Sequence, residues 1–356
     1  AAGCGVRLRL RPGSETPDGQ EEGEGVSSQT FAKKYATDFA TVTASYGYDE
    51  VRLFRAMQKY LLSASSAIQA EEYHGAGHQV TFNGNNIHSR LSARCELSDL
   101  LIIVYSPEHG TARYTYLQAK SERGTPAAPQ SHYYSGNLEQ WDLLSRRPII
   151  HGVGKFHPHP TLLSSALLPS IGSFGLFYKS AQAGFQMLYA AADCLEPKQP
   201  HSVRYGKMNL KASLSSGRSI YGHVEQTYTL DNYDFAYYLH NLMIGEPLIT
   251  NGNVSDQPSA VWITGVINAL AARPSDPDRP NPLIRQLSAA LNRPSVIGDS
   301  VRFGAKTMIV VGSDANPEQQ SKESPVPSGL DQTTSNAILQ PETRPDPGLL
   351  FDLSPD

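Results

Sequence analysis

Asp99, Gln118 and Lys120 are the residues whose types and spacing promise chemistry. An apolar run from Leu100 to Tyr105 follows the acid, Ser106-Pro-Glu-His-Gly110 reads as a turn, and a second run from Tyr114 to Leu117 leads into Gln118-Ala-Lys120. Both runs are rich in β-branched and aromatic residues and too short for a typical helix, so the spacing predicts a β-hairpin. With the turn centred between Glu108 and His109, Asp99 faces Gln118 across the two strands. Lys120, two residues further on, projects from the same sheet face. A bulge or a wider loop would shift this register by one residue and send the partners to opposite faces. Gln118 lies inside an apolar strand, between Leu117 and Ala119, and needs a partner once buried.

A carboxylate and an amide carbonyl are hard oxygen donors of the kind Mg²⁺ takes, and an ammonium beside them can orient a water or hold a phosphate. Hydrolysing a phosphodiester needs these things together: neutralised non-bridging oxygens, an activated water and a stabilised leaving oxygen. Glu96, three residues before Asp99, is a further candidate acid. Strand parity puts it on the opposite face, but an irregular lead-in would let it turn towards the same centre. Glu71 and Glu72, at the end of a predicted long helix, are the other candidates.

Glu96-Leu-Ser-Asp99, the hydrophobic strand after it, and Leu117-Gln-Ala-Lys120 together resemble the PD-(D/E)XK superfamily of restriction-endonuclease-like nucleases, in the variant where Gln replaces the acid of the second half-motif. The resemblance covers residues 49–153, about a third of the chain, and Ser98 stands where the family name has Pro. It implies an α/β fold with a central mixed sheet flanked by helices; the rest of the chain, which the resemblance does not cover, would then be a C-terminal α+β elaboration. It implies Mg²⁺-dependent cleavage, with Mn²⁺ as an alternative, by catalytic residues Asp99, Gln118, Lys120 and Glu96, with Asp99 and Gln118 as metal ligands. A helix before the first strand would offer an acid, and the helix after the hairpin would pack on the sheet. The expected partner is nucleic acid, DNA before RNA, in a bacterial restriction or defence setting where a homo-oligomer or a defence-complex partner stays open. Gln118 supplies no charge, which leaves a second function open: a non-catalytic nucleic-acid-binding or protein-interaction module that retains the nuclease-like core.

The elements that must position these residues are legible from periodicity. Val51, Phe54, Met57, Leu61, Leu62 and Ile68 recur at helical spacing and predict a helix over 49–70 capped by Asp49. An earlier helix is predicted over 31–44. Alternation over 78–82 predicts the first strand, and a polar link over 87–94 leads into the hairpin. Beyond it, a short helix over 137–146 stops before Pro148, with Leu138, Trp141 and Leu144 on one face. Strands are predicted over 173–179, 185–191 and 301–311, and helices over 233–243, 259–272 and 283–291.

The 356 residues are enough to bury a substantial core. Residues 1–29 combine Gly, Pro and acids and read as a disordered tail, as do residues 313–356, where 348–353 could form a short docking motif. Between them, residues 30–155 read as the nuclease-like core and 156–312 as an elaboration continuous with or packed on it. A net charge of −4 argues against a protein that coats nucleic acid non-specifically. A locally basic stretch, Arg90, Arg94, Arg113, Lys120, Arg123, Arg146, Arg147 and Lys155, could still neutralise phosphates, with Arg94, Arg113 and Arg123 the candidate nucleic-acid contacts. The same residues also read as ordinary solvated surface charge.

Cys4, Cys95 and Cys194 are too widely spaced for a disulfide framework or a zinc site. With no apolar signal core and no run near membrane-spanning length, a cytoplasmic protein without membrane contact is expected. The His151, His157 and His159 cluster reads as surface histidines, Gly152-Val-Gly-Lys155 lacks phosphate-loop spacing, and the tyrosines over 233–238 follow helical spacing and read as core.

Overall fold

Two caps start the fold. In a computed structural model that describes residues 27–64, 68–72, 78–126, 128–181, 183–200, 204–212, 228–272, 282–292 and 305–314, the Thr30 N–H donates to Ser27 Oγ at 3.2 Å to open α1 (Ser28–Thr43), and the Arg52 N–H donates to Asp49 Oδ1 at 3.1 Å to open α2 (Glu50–Ala64). These satisfy backbone donors that the first helical turn cannot. Then come β1 (Ile68–Glu72), β2 (Gln79–Asn83), β3 (Ser92–Glu96), β4 (Ser98–Ser106) and β5 (Thr111–Ser121). After β6 (Tyr134–Asn137), Asn137 caps α3 (Leu138–Arg146), which ends on Arg147 in the left-handed region at φ 52°. The chain continues through β7 (His151–Gly152), β8 (Gly172–Ser180), β9 (Gly184–Ala191), β10 (Leu195–Pro200) and β11 (Tyr205–Leu210). The remaining elements are α4 (Asn232–His240), β12 (Glu246–Thr250), β13 (Asn253–Val254), α5 (Pro258–Ala271), α6 (Pro282–Leu291) and β14 (Ala305–Gly312).

The eight-stranded main sheet is mixed, with β1, β14, β4, β5, β12 and β13 in order and β8 and β9 branching from the later half of β5. The β4–β5 pair is the predicted hairpin in the predicted register: Leu100 faces Leu117, and one step further Asp99 comes opposite Gln118. Its turn closes on Gly110 at φ 53°, a conformation Gly adopts without steric cost. Strand β8 returns parallel to β5 after α3, and β14 lies parallel to β4 on its other edge. Helices cover both faces. Leu101, Ile103, Tyr114 and Tyr116 pack with Leu143 and Leu144 of α3, Ile263 of α5 and Ile284 of α6. Leu100, Ile102, Val104 and Leu117 pack with Phe31 and Phe39 of α1, Leu53 and Met57 of α2 and Phe235 of α4. Burial on both sides explains why β4 reads as an unbroken apolar run instead of an alternation.

Several elements differ from the sequence reading. The predicted first strand, β2, is not in the main sheet; it pairs with β3 and β7 in a separate three-stranded sheet. Its burial alternates along the strand, which suits a sheet with one open face, whereas the place beside β4 is flanked by apolar layers and taken by the continuous Met308-Ile-Val-Val311 of β14. The polar link before the hairpin contains β3, whose Ala93 and Cys95 point inward. The helix over 49–70 ends at Ala64, and Glu71 and Glu72 lie instead on β1, paired antiparallel to β14, because the free edge of β14 offers backbone partners that helical periodicity cannot foresee. Strands β8, β9, β12, β13 and β14 all join the sheet that holds the hairpin, so residues from 172 to 312 supply five of the eight strands of that sheet. Of the tails expected at 1–29 and 313–356, the described ends are ordered: Ser27 caps α1, Ser28 and Gln29 lie in its first turn, and Ser313 is buried after β14. Residues 1–26 and 315–356, with Cys4 and the 348–353 motif, lie outside the described residues.

Candidate active site at the end of the hairpin

Strand parity brings Asp99 and Gln118 to the sheet face covered by α3, α5 and α6, and Lys306 joins them from β14. Because β14 is parallel to β4, with Ala305 opposite Ser98 and Thr307 opposite Leu100, Lys306 lies in register beside Asp99. Both Asp99 oxygens are engaged: Oδ2 accepts the Ala119 N–H at 3.0 Å and Oδ1 accepts the Lys306 ammonium at 2.6 Å. Glu96 reaches the same ammonium, with Oε2 at 3.0 Å from Nζ. The chain breaks between β3 and β4 at Leu97, and this irregular lead-in lets Glu96 turn to the side of Asp99. His78 completes the cluster, its Nε2 3.9 Å from Glu96 Oε1. Burial alone would lower the Lys306 pKa; Asp99 first and Glu96 second outweigh it and hold the ammonium above the ordinary lysine range.

Gln118 is fully buried, and neither its Oε1 nor its Nε2 has a hydrogen-bond partner among the described residues. Leaving a buried amide unsatisfied costs roughly 1–3 kcal/mol per group, so a fold retains one where something else uses it. Lys120 does not join the carboxylates. Its ammonium donates to the Ala119 carbonyl at 2.7 Å and pairs with Glu50 Oε1 at 3.4 Å, while Glu50 Oε2 accepts the Ser121 N–H at 3.3 Å. Glu50 is in the first turn of α2, so a helix ahead of the strands does deliver an acid to this end of β5.

The structure thus gathers Asp99, Gln118, Glu96 and Lys306 on one side of the strand ends and sets Lys120 with Glu50 at the end of β5. Lys306 and Glu50 were not candidates in the sequence. Lys306 lay in a predicted strand, but nothing in the sequence paired that strand with β4. Glu50 was visible only as an acid in a helical first turn.

The basic stretch is largely spent within the molecule. Arg113 is buried, donates to the Gly245 carbonyl at 3.0 Å and has its pKa lowered to about 10 by burial, against the pull of Glu246. It cannot contact a phosphate, because β5 is buried on both faces at this position, which charge alone does not reveal. Arg90 grips the fully buried Glu139 at 2.6 and 3.1 Å, Arg146 holds Asp142, and Arg147 reaches Asp193 at 3.4 Å. Arg94 is exposed and donates to Gln79 Oε1 at 2.8 Å, and Arg123 and Lys155 are exposed.

His151, His157 and His159 are exposed, Tyr238 is buried in the core, and Cys95 and Cys194 are buried cysteines outside any disulfide. Among the described residues no group of three or more His, Cys, Asp and Glu side chains is placed to hold a metal by itself, and no helix is long and apolar enough to cross a membrane. Compared with family models, curated proteins and solved structures, the chain matches none.

Proposed function

We propose that the protein hydrolyses phosphodiester bonds in nucleic acid with a divalent metal, Mg²⁺ or Mn²⁺, and that Asp99 and Gln118 hold the metal. The observation that carries this reading is Gln118: a buried amide, unsatisfied by the described residues, opposite a carboxylate whose face also receives Glu96. The donor set, two carboxylates and an amide carbonyl, is all hard oxygen and fits these ions. When bound, the metal would neutralise phosphate charge and sharpen a water as nucleophile. Asp99 anchors the centre from β4 through its bond to the Ala119 N–H, and Glu96 supplies a second carboxylate from the β3–β4 corner. Lys120, held by Glu50 and the Ala119 carbonyl at the same end of β5, is the ammonium available to hold a phosphate or orient the attacking water. Support for a restriction-endonuclease-like core comes from the hairpin, the α3 crossover and the parallel return of β8, with Leu143 and Leu144 of α3 packed on the Asp99 face. DNA as substrate, a cytoplasmic setting and a role in restriction or defence belong to the same reading.

The direct assay incubates the protein with plasmid and single-stranded DNA in Mg²⁺ or Mn²⁺. Cleavage that requires the metal, stops with chelator and falls about a hundredfold in Lys120→Ala is the expected result. Metal-independent binding without cutting would sink the enzyme reading. One observation favours that alternative, a non-catalytic binding module: ammonium groups from Lys306 and Lys120 already neutralise the acids present.

The Gln118 amide supplies its own test. In Gln118→Met the apolar side chain keeps the volume and removes the unsatisfied group, so the melting temperature should rise, with stability increasing by about 1–3 kcal/mol. Cleavage should fall in the same variant. A Gln118→Met protein that melts lower than the wild type would show that the amide is satisfied in the fold.

A further inference from the structure

We propose that Lys306 is an internal competitor for the divalent cation: its ammonium occupies the space between the Glu96 and Asp99 carboxylates and must leave before a metal enters. The inference rests on the metal reading above and adds to it how the site is regulated. The Lys306 ammonium lies 2.6 Å from Asp99 Oδ1 and 3.0 Å from Glu96 Oε2, so a single positive charge bridges the two acids that a metal would need. The Ala119 N–H holds the other Asp99 oxygen at 3.0 Å, which leaves Oδ1 as the oxygen over which lysine and metal compete. Of the remaining groups nearby, Lys120 is committed to Glu50 and the Ala119 carbonyl, and His78 faces Glu96 at 3.9 Å. Among the described residues no second cation therefore needs to move. Gln118 is neutral and stays unsatisfied while the lysine is in place, since it makes no hydrogen bond to that ammonium. The lysine neutralises the carboxylates but leaves the amide orphaned, and a metal would serve both.

Lys306 comes from β14, close to 200 residues beyond the hairpin in sequence, and its stem is partly open to water, with 39% of its side chain exposed. It can swing outward without unpacking the core. A site whose competent form is populated only about one-tenth of the time loses about tenfold in apparent affinity. Metal binding would thus be weak until something draws the lysine away, and the phosphate of a bound substrate is a group with the charge to do so.

The test is Mn²⁺ titration of the full chain by calorimetry, with thermal melting in the same buffers. Lys306→Met and the second neutral variant Lys306→Gln should bind Mn²⁺ about tenfold more tightly than wild type and show a larger metal-induced rise in melting temperature. Lys306→Arg, which keeps the charge, should bind as weakly as wild type. The gain should vanish in Asp99→Asn/Lys306→Met. Unchanged or weaker affinity in both neutral variants overturns the competition while leaving the metal reading intact, provided Asp99→Asn abolishes the binding of the wild type. Absence of binding in every variant overturns both.

Discussion

Asp99→Ala should lower metal-dependent cleavage by on the order of a thousandfold, the scale reached when one preorganised electrostatic group is removed from a reaction centre. The variant removes the proposed metal ligand and also unties the strand ends, because Ala119 N–H loses its acceptor and, among the described residues, Lys306 keeps Glu96 alone. Stability should fall by about 1–2 kcal/mol. Breaking a fully buried ion pair costs more, roughly 3–5 kcal/mol, but Lys306 has 39% of its side chain in solvent and can be rehydrated. Asp99→Asn separates the two effects: its carbonyl can still accept the Ala119 N–H, so it should melt close to wild type and yet be inactive. Melting curves and plasmid cleavage on both variants provide the comparison, and a folded Asp99→Asn that cuts at the wild-type rate would remove Asp99 from the chemistry.

Acid should weaken the fold through His240. Its imidazole is almost fully buried at the end of α4, tilted 31° against Phe31 of α1 at 4.6 Å between ring centroids, with Nδ1 2.9 Å from Ser28 Oγ and 3.4 Å from Ser313 Oγ. It ties together the start of α1, the end of α4 and the residue after β14. Burial lowers its pKa to about 4, against a smaller opposite pull from Asp314. The unfolded chain, with histidine titrating near 6.5, therefore binds the proton more readily than the fold between about pH 6.5 and pH 4. The contribution is intact above that window and is lost as pH falls through it, amounting to about 2 kcal/mol between about pH 7 and pH 5. Urea unfolding at those two pH values, compared with His240→Gln, isolates the effect. An identical pH dependence in the two proteins would show that His240 is not the group responsible.

The hairpin was legible because its information is local. The turn residues sit between two apolar runs, so register, facing of Asp99 and Gln118, and burial of the amide all follow from spacing. What surrounds the hairpin was not legible, because it is set by pairing between distant segments. The run around Met308 reads as a strand in the sequence, but only the packed sheet puts it beside β4 and so delivers Lys306 to Asp99. For the same reason the sequence shows β2 as a strand but not that it pairs with β3 and β7 outside the main sheet. Arg113 illustrates a third limit. In a strand buried on both faces, parity does not tell which polar residue is satisfied inside, and its bond to the Gly245 carbonyl depends on the chain at β12. Lys120 had the expected spacing and a different partner, since Glu50 arrives from a helix that precedes it by 70 residues in sequence.

The claim at the centre of this account is that the Gln118 carbonyl takes a metal. Selective ¹⁵N labelling of glutamine side-chain amides, with the Gln118 signal assigned by its loss in Gln118→Met, lets Mn²⁺ report on that group directly through paramagnetic broadening. The account predicts that substoichiometric Mn²⁺ broadens the Gln118 amide before the other glutamines, and that Asp99→Asn abolishes the effect. A Gln118 signal that persists while the others broaden alike would contradict it.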